Sequence, residues 1–314
     1  MTLWNKFVDE SPHGTIFSNY HYLQGSGVRY KTYFVFRGEE IKCGLVLTLN
    51  DNEEEIRLDD LIVYNGIMFN GDKQQKESSA RLERFEITEF IIDKLVKKFD
   101  KIEFTLAPQF EDIRPFSWHN YHSQDQCNKL SIKVRYTSYL NTQEFIGQQA
   151  DQEMQVFKNM ERLRRRRVKE GLKIGAKLEL GDDTDILIKY YKMMLNAQDI
   201  TPSDYKLNRM AQLVNNLCNN KIANMFFVRE ENGEISYVIV FGFDSKRAYA
   251  LFAAGNQAMN VRHSGTFAYW GAFKFLADTY GITEVDLEGV NSPKRGWFKI
   301  SFGGSLIPYY EITL

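Results

Sequence analysis

Near its end the chain reads RGWFKISFGGSLIPYYEI, residues 295 to 312, which sets one lysine, Lys299, among Trp297, Phe298 and Phe302 ahead of the pair Gly303 and Gly304. Rings that shed water around a cation make it a stronger electrostatic group, while the plainer reading is a surface lysine on a short helix, ahead of a terminal strand docked on a sheet. Two carboxylates come shortly before it, in VDLEGV. Asp286 and Glu288 lie at the end of a short apolar strand, where a carboxylate can orient an amine or take its proton, or simply finish the strand. A third group is cationic: Arg162, Arg164, Arg165, Arg166, Arg167, Lys169, Lys173 and Lys177 surround a helical stripe of Phe157, Met160, Leu163 and Val168. Forked guanidinium donors suit the phosphate oxygens of a nucleotide, a coenzyme or RNA. The same run also reads as a solvated face paired with Glu153, Glu161 and Glu170. Residue types alone leave both readings open.

Other chemistries lack their residues. His119 and His122, three apart in HNYH, have no third ligand nearby, so no metal is expected. Cys43, Cys127 and Cys218 are far apart and form no CxxC pair, which fits thiols in a reducing compartment. Ser264 beside His263 is not in a G-x-S-x-G elbow, and the Gly-rich phosphate loops of nucleotidases and dehydrogenases are missing. Forty basic residues against 41 acidic ones give a formal charge of -1, so any contact with nucleic acid or an anionic membrane must be local. The opening MTLWNKFVDESPHG has no basic segment followed by an apolar one, and no uncharged apolar run reaches about 18 residues. The expectation is a cytoplasmic protein without a membrane span.

With 314 residues, 43% of them hydrophobic, the chain can fill two cores, and its pattern repeats. YKTYFVFRG (30–38), EEIKCGLVLTLN (39–50) and EEIRLDDLIVYNGIMF (54–69) read as an antiparallel meander. A helix follows over 79–100, with Leu82, Phe85, Phe90, Ile91, Leu95 and Phe99 as its inner face and Ser78 or Ser79 as its cap. Next come a short strand at 101–108, the irregular QFEDIRPFSWHNYHSQ and a strand at 129–140. The second half runs through a meander (223–255), a helix (264–281) burying Phe267, Trp270, Phe273, Leu276 and Ala277 and closing at Gly281, a short strand (282–290), the irregular NSPKRGWFKISFGG and a last strand, SLIPYYEI. Between them lie the basic helix and a helix pair over 183–220 broken at Thr201 and Pro202. A mixed α/β (α+β) protein is expected, with one unit over 1–145 and a sister unit over 146–314, each a mostly antiparallel mixed sheet covered by helices.

RRRRVKEGLK, ALFAAGNQAMNVRHSGTFAYWGAFKFLADTYGITEVDLEGV and GWFKISFGG together resemble the Fem family of aminoacyl transferases and the related GNAT-like acyltransferases. LWNKFVDESPHGTIFSN and DIRPFSWHNY are similar to the N-terminal unit of that family, so the likeness covers nearly the whole chain in order. It implies two GNAT-type units in tandem and the transfer of an acyl or aminoacyl group to an amine of a cell-envelope precursor or amino sugar. It further implies that Phe298 and Lys299 lie in the transfer channel, with Lys299 stabilising the oxyanion, Trp297 lining it and Asp286 assisting. Arg262, His263, Ser264, Gly265 and Thr266, before and at the start of the 264–281 helix, would receive the donor's phosphates through backbone amides and the helix dipole. Phe267 departs from the usual small residue of that loop. Asp112, Arg114, Trp118 and His119 of the first unit would face the acceptor, a small amine or nucleotide-linked sugar. No long heptad arm interrupts 141–222, which favours acyl coenzyme A over aminoacyl-tRNA as co-substrate, with no tightly bound cofactor. The competing expectation is a non-catalytic protein that binds a nucleotide sugar or RNA through the basic helix.

Overall fold

The computed structural model describes residues 2–71, 75–125, 128–147 and 150–314. Its contacts gather into two compact units, Met1–Arg135 with Pro308–Leu314, and Tyr136–Ile307. The sequence pattern puts the division at 145/146.

In the first unit, α1 (Leu3–Glu10) and α2 (Tyr20–Ser26) precede three antiparallel strands in the order β1 (Tyr30–Arg37), β2 (Glu40–Thr48), β3 (Gly66–Phe69). Residues 54–65 do not join this meander as a continuous strand. The Asp59 carboxylate accepts from the Leu61 amide at 2.9 Å, and the chain turns there before Gly66. α3 (Glu77–Val96) lies next, then β4 (Glu103–Thr105) and the short α4 (Arg114–Trp118), which forms inside the stretch read as irregular. The core joins Leu45 and Leu47 of β2, Ile67 and Phe69 of β3, Ile91, Ile92 and Leu95 of α3, and Phe104. On α3 the inner face is Ala80, Thr88, Ile91, Ile92 and Leu95, whereas Leu82 and Phe90 are exposed. The cap position is Lys76 and makes no side-chain cap, so neither Ser78 nor Ser79 serves.

The second unit begins within β5 (Ser131–Asn141). The basic segment forms two helices, α5 (Gln155–Asn159) and α6 (Arg162–Lys173), followed by β6 (Lys177–Gly181), a strand where the sequence pattern reads as helix. α7 (Thr184–Asn196) and α8 (Asp204–Asn219) form the broken pair, capped by the side chains of Asp183 and Ser203. β7 (Ala223–Arg229), β8 (Ile235–Phe243) and β9 (Ala248–Gly255) make the second meander, covered by α9 (Ser264–Tyr280). All five residues expected on the inner face of α9 are buried, and Gly281 ends the helix in the left-handed region at φ 68°, where a Cβ would be strained. β10 (Glu284–Asp286), α10 (Pro293–Ile300) and β11 (Ser305–Thr313) complete the chain. Strand order across this unit is β5-β10-β9-β8-β7-β6.

One join in that sheet matters for the site. β10 pairs with β9 in parallel only at Val285 with Ala248 and Asp286 with Tyr249. β9 then runs on to Gly255 past the end of β10, and its free flank opens a cleft.

Candidate active site

The cleft is a cavity of about 520 Å³ within the second unit, lined by the run from Ala250 to Gly255 on β9, by Ser264, Gly265, Thr266 and Tyr269 on α9, and by Lys294, Arg295, Phe298 and Lys299 on α10. Pro293 starts α10, where the missing amide costs nothing, and the turn beyond β10 sets its position. Buried Gly296 allows the close approach: a Cβ there would stand 2.2 Å from the Val290 carbonyl oxygen. NSPKRGWFKISFGG is therefore largely helical where the sequence suggested an irregular stretch.

Lys299 projects from this helix, and its Nζ donates to the Glu288 carbonyl oxygen at 3.2 Å. It makes no other hydrogen bond among the described residues, so two of its three N–H directions are free for a substrate oxygen. The Glu288 carbonyl is held there by unusual backbone. Glu288 has φ 50°, a conformation that a residue with a side chain adopts only when its surroundings enforce it. The enforcing group is Asp286, whose Oδ1 accepts from the Glu288 amide at 2.8 Å and from the Thr137 hydroxyl. Asp286 is fully buried and does not line the cavity, so the structure assigns it to shaping the turn beneath the lysine. Glu288 is also buried, and its Oε1 has no hydrogen-bond partner among the described residues. Burial, followed by the nearby Asp286 carboxylate, holds the Glu288 carboxyl well above the usual range. Burial lowers Lys299 from the ordinary lysine value, against the opposing pull of Glu288 and Asp286.

The cavity wall around the lysine is aromatic. Phe298 packs edge-on to Tyr269 and Phe302, each 5.4 Å away between centroids. Burial keeps the Tyr237 and Tyr269 phenols well above their ordinary values, so both remain protonated at neutral pH. Trp297 points elsewhere: it is 66% exposed and does not line the cavity. Its neighbours on the helix turn inward because α10 presents one face only, and i, i+1 residues diverge.

Of the five residues at the start of α9, four line the cavity. Arg262 is exposed at its rim, and Ser264 donates back to Val261 O at 3.3 Å. Gly265 is explained by packing, since a Cβ there would meet the Tyr237 ring at 3.0 Å. Thr266 accepts 2.7 Å from Arg164 Nη1. His263 does not reach the cavity: it is buried with Nε2 3.1 Å from Glu230 Oε2. Arg164 is the residue the sequence did not single out. It is four before buried Val168 and seven before buried Gly171, one inward stripe of α6, and that spacing was the available signal.

The first-unit candidates form a separate group. Arg114 makes two hydrogen bonds to the Asp112 carboxylate, at 2.7 and 2.5 Å, which hold Asp112 below its ordinary value. The Arg114 guanidinium also lies 5.5 Å from the Trp118 ring centroid; Trp118 is exposed and His119 half-buried. Asp112 lines a cavity of about 370 Å³ in this unit; Arg114, Trp118 and His119 do not. Among the described residues there is no group of three or more potential metal ligands, and no helix long and apolar enough to cross a membrane.

No protein-family model matches the sequence, and no curated protein does. Solved structures do. The chain superposes on FemX at a TM-score of 0.67 with 13% identity, covering 98% of this chain and 94% of that one. It superposes on L-PGS from Bacillus licheniformis at 0.56 with 10% identity (98% and 89% covered). A tandem GNAT protein from the clavulanic acid biosynthesis pathway matches at 0.51 with 10% identity (93% and 86% covered). The element order, the cleft opened beside β9 and these superpositions agree that the chain has the Fem/GNAT-like fold, with two GNAT-type units in tandem.

Proposed function

We propose that the protein is an N-acyltransferase that passes an acyl or aminoacyl group from an activated donor to an amine in the second-unit cavity. The observation that carries this reading is Lys299: an ammonium at the inner wall of an aromatic-lined cleft, with two unoccupied donor directions. The amine nitrogen attacks the donor carbonyl, the C–N bond forms, and the carbonyl oxygen gathers negative charge that Lys299 meets. The C–S bond of a thioester, or the C–O bond of an aminoacyl ester, then breaks, and the proton shed by nitrogen leaves on the departing thiol or hydroxyl. No covalent enzyme intermediate is required, and positioning in the cleft supplies much of the acceleration.

Acyl coenzyme A is the donor favoured here, and an amino sugar or the amine of a cell-envelope precursor, free or nucleotide-linked, is the acceptor. The competing donor is aminoacyl-tRNA. Thermal shift with acetyl coenzyme A, set against filter binding of charged tRNA, separates the two, because a ligand that binds only the folded state raises Tm through ln(1 + [L]/Kd). Binding of tRNA with no shift by acetyl coenzyme A would overturn the thioester assignment. Ligand binding without any transfer to amines would overturn the enzyme assignment in favour of a binding protein.

A further inference from the structure

The cavity has a one-sided charge. Arg164, Arg262, Lys294, Arg295 and Lys299 line it, and no aspartate or glutamate does so among the described residues. Four of these cations stand on α10 or on the loop before α9; Arg164 reaches in from α6. It is also the most constrained. Its guanidinium lies 4.8 Å from the Phe298 ring centroid and donates to Thr266, so it spans the ring next to Lys299 and the first turn of α9. Its Nε is buried and has no hydrogen-bond partner among the described residues, and it forms no ion pair there. Burial depresses its ordinary value, so holding the charge in place is costly without an anion. Other members of the run behave differently. Arg167 pairs with Glu170 at 2.5 Å, and Arg162 and Arg166 are exposed.

We infer that Arg164 is the phosphate-reading residue of this cavity, taking a phosphate oxygen of the donor on the guanidinium N–H groups not given to Thr266, while Phe298 and Thr266 fix the guanidinium plane. The inference rests on the transferase reading and narrows it to a phosphate-bearing donor. Five cations around one cleft suit a group with several negative charges, such as a diphosphate, better than a single carboxylate. Of the arginine run, Arg164 then serves the ligand and the exposed members do not.

Titration calorimetry with coenzyme A, inorganic pyrophosphate, citrate and pantetheine tests this. Pantetheine carries the same thiol arm without the diphosphate. Wild type should bind coenzyme A and pyrophosphate, and pantetheine at least tenfold more weakly. Arg164→Ala should weaken coenzyme A by about tenfold or more, the effect of a lost charged hydrogen bond. Arg164→Lys should recover part of that loss, and Arg166→Ala should change it less than twofold. Circular dichroism and the ligand-free Tm establish that each variant is folded, and Arg164→Gln replaces the alanine variant if that one is not. An equal loss in Arg166→Ala, an unchanged affinity in Arg164→Ala, or citrate binding more tightly than pyrophosphate would each overturn the inference. Failure of the transferase reading looks different: phosphate binding would still depend on Arg164, with no acyl transfer to any amine.

Discussion

Replacing Lys299 with methionine keeps the unbranched stem that packs along the cavity wall and removes only the ammonium. That group makes one described hydrogen bond, to Glu288 O, and presents its remaining donors to the cleft. An oxyanion donor in such a place contributes about 2.7–4 kcal/mol, or roughly 10²–10³ in kcat. Coulomb's law gives a similar size, about 4 kcal/mol for unit charges 4 Å apart at an effective dielectric constant of about 20. Stability should change much less. The lost charged hydrogen bond, about 1.5–3 kcal/mol, is offset by the released cost of a desolvated ammonium, and the net should stay within about 2 kcal/mol, a few degrees of Tm for a chain of this size. The assay is release of coenzyme A thiol from acyl coenzyme A, first with wild type across amino-sugar and peptide amines, then with Lys299→Met on the best pair. The expected result is a kcat lower by about 10²–10³ with KM within about threefold. A kcat within threefold of wild type, or a Tm loss above about 10 °C, would refute the assignment, the second outcome by showing that the lysine holds the fold together.

Three further outcomes follow from the same geometry. Because the Glu288 carboxyl is held well above its ordinary 4.5, it stabilises the fold while protonated, and that stability is lost as pH rises from about 4.5 through the folded-state value. Glu288→Gln, which mimics the protonated form, should therefore match wild type in Tm near pH 4.5 and exceed it at pH 8.5; a lower Tm at pH 8.5 would contradict this. Burial pushes the Cys43 thiol up to about 12, so peptide mapping after alkylation at pH 8 should find Cys43 labelled only once the protein is unfolded. Gly296→Ala would force a Cβ against the Val290 carbonyl and displace α10, at a cost of about 3 kcal/mol. Thermal melts should show that loss, and turnover should fall with it because α10 carries both Phe298 and Lys299.

How much of this was legible in the sequence differs by element. α9 could be read in full, since Phe267, Trp270, Phe273, Leu276 and Ala277 define one stripe and Gly281 marks its end. α3 could not, because Leu82, Phe85 and Phe90 scatter apolar side chains over several faces and only packing against β2 and β3 selects Ile91, Ile92 and Leu95. The stretch 54–65 is rich in strand formers, yet one Asp59 side chain turns the chain out of the sheet. Proline and glycine disguised α10, although proline at a first helical position and a glycine under a neighbouring carbonyl are both compatible with a helix. At the site, Lys299 and Phe298 stand together in the cleft, whereas Trp297 points outward, and Asp286 and His263 are spent on internal bonds. Arg164 was hidden in a run of like residues, because charge patterning carries no depth and only the inward stripe with Val168 distinguishes it.

β11 has a consequence for how the protein is made. Its first three residues belong to the second unit and Pro308–Leu314 to the first, where Glu311, Ile312 and Thr313 pair with Thr105, Phe104 and Glu103. Chains emerging from the ribosome usually settle their leading domain first. Here the first unit must wait for a segment made after the second, leaving the edge of β4 uncovered while the second unit is synthesised and a target for chaperones until β11 arrives.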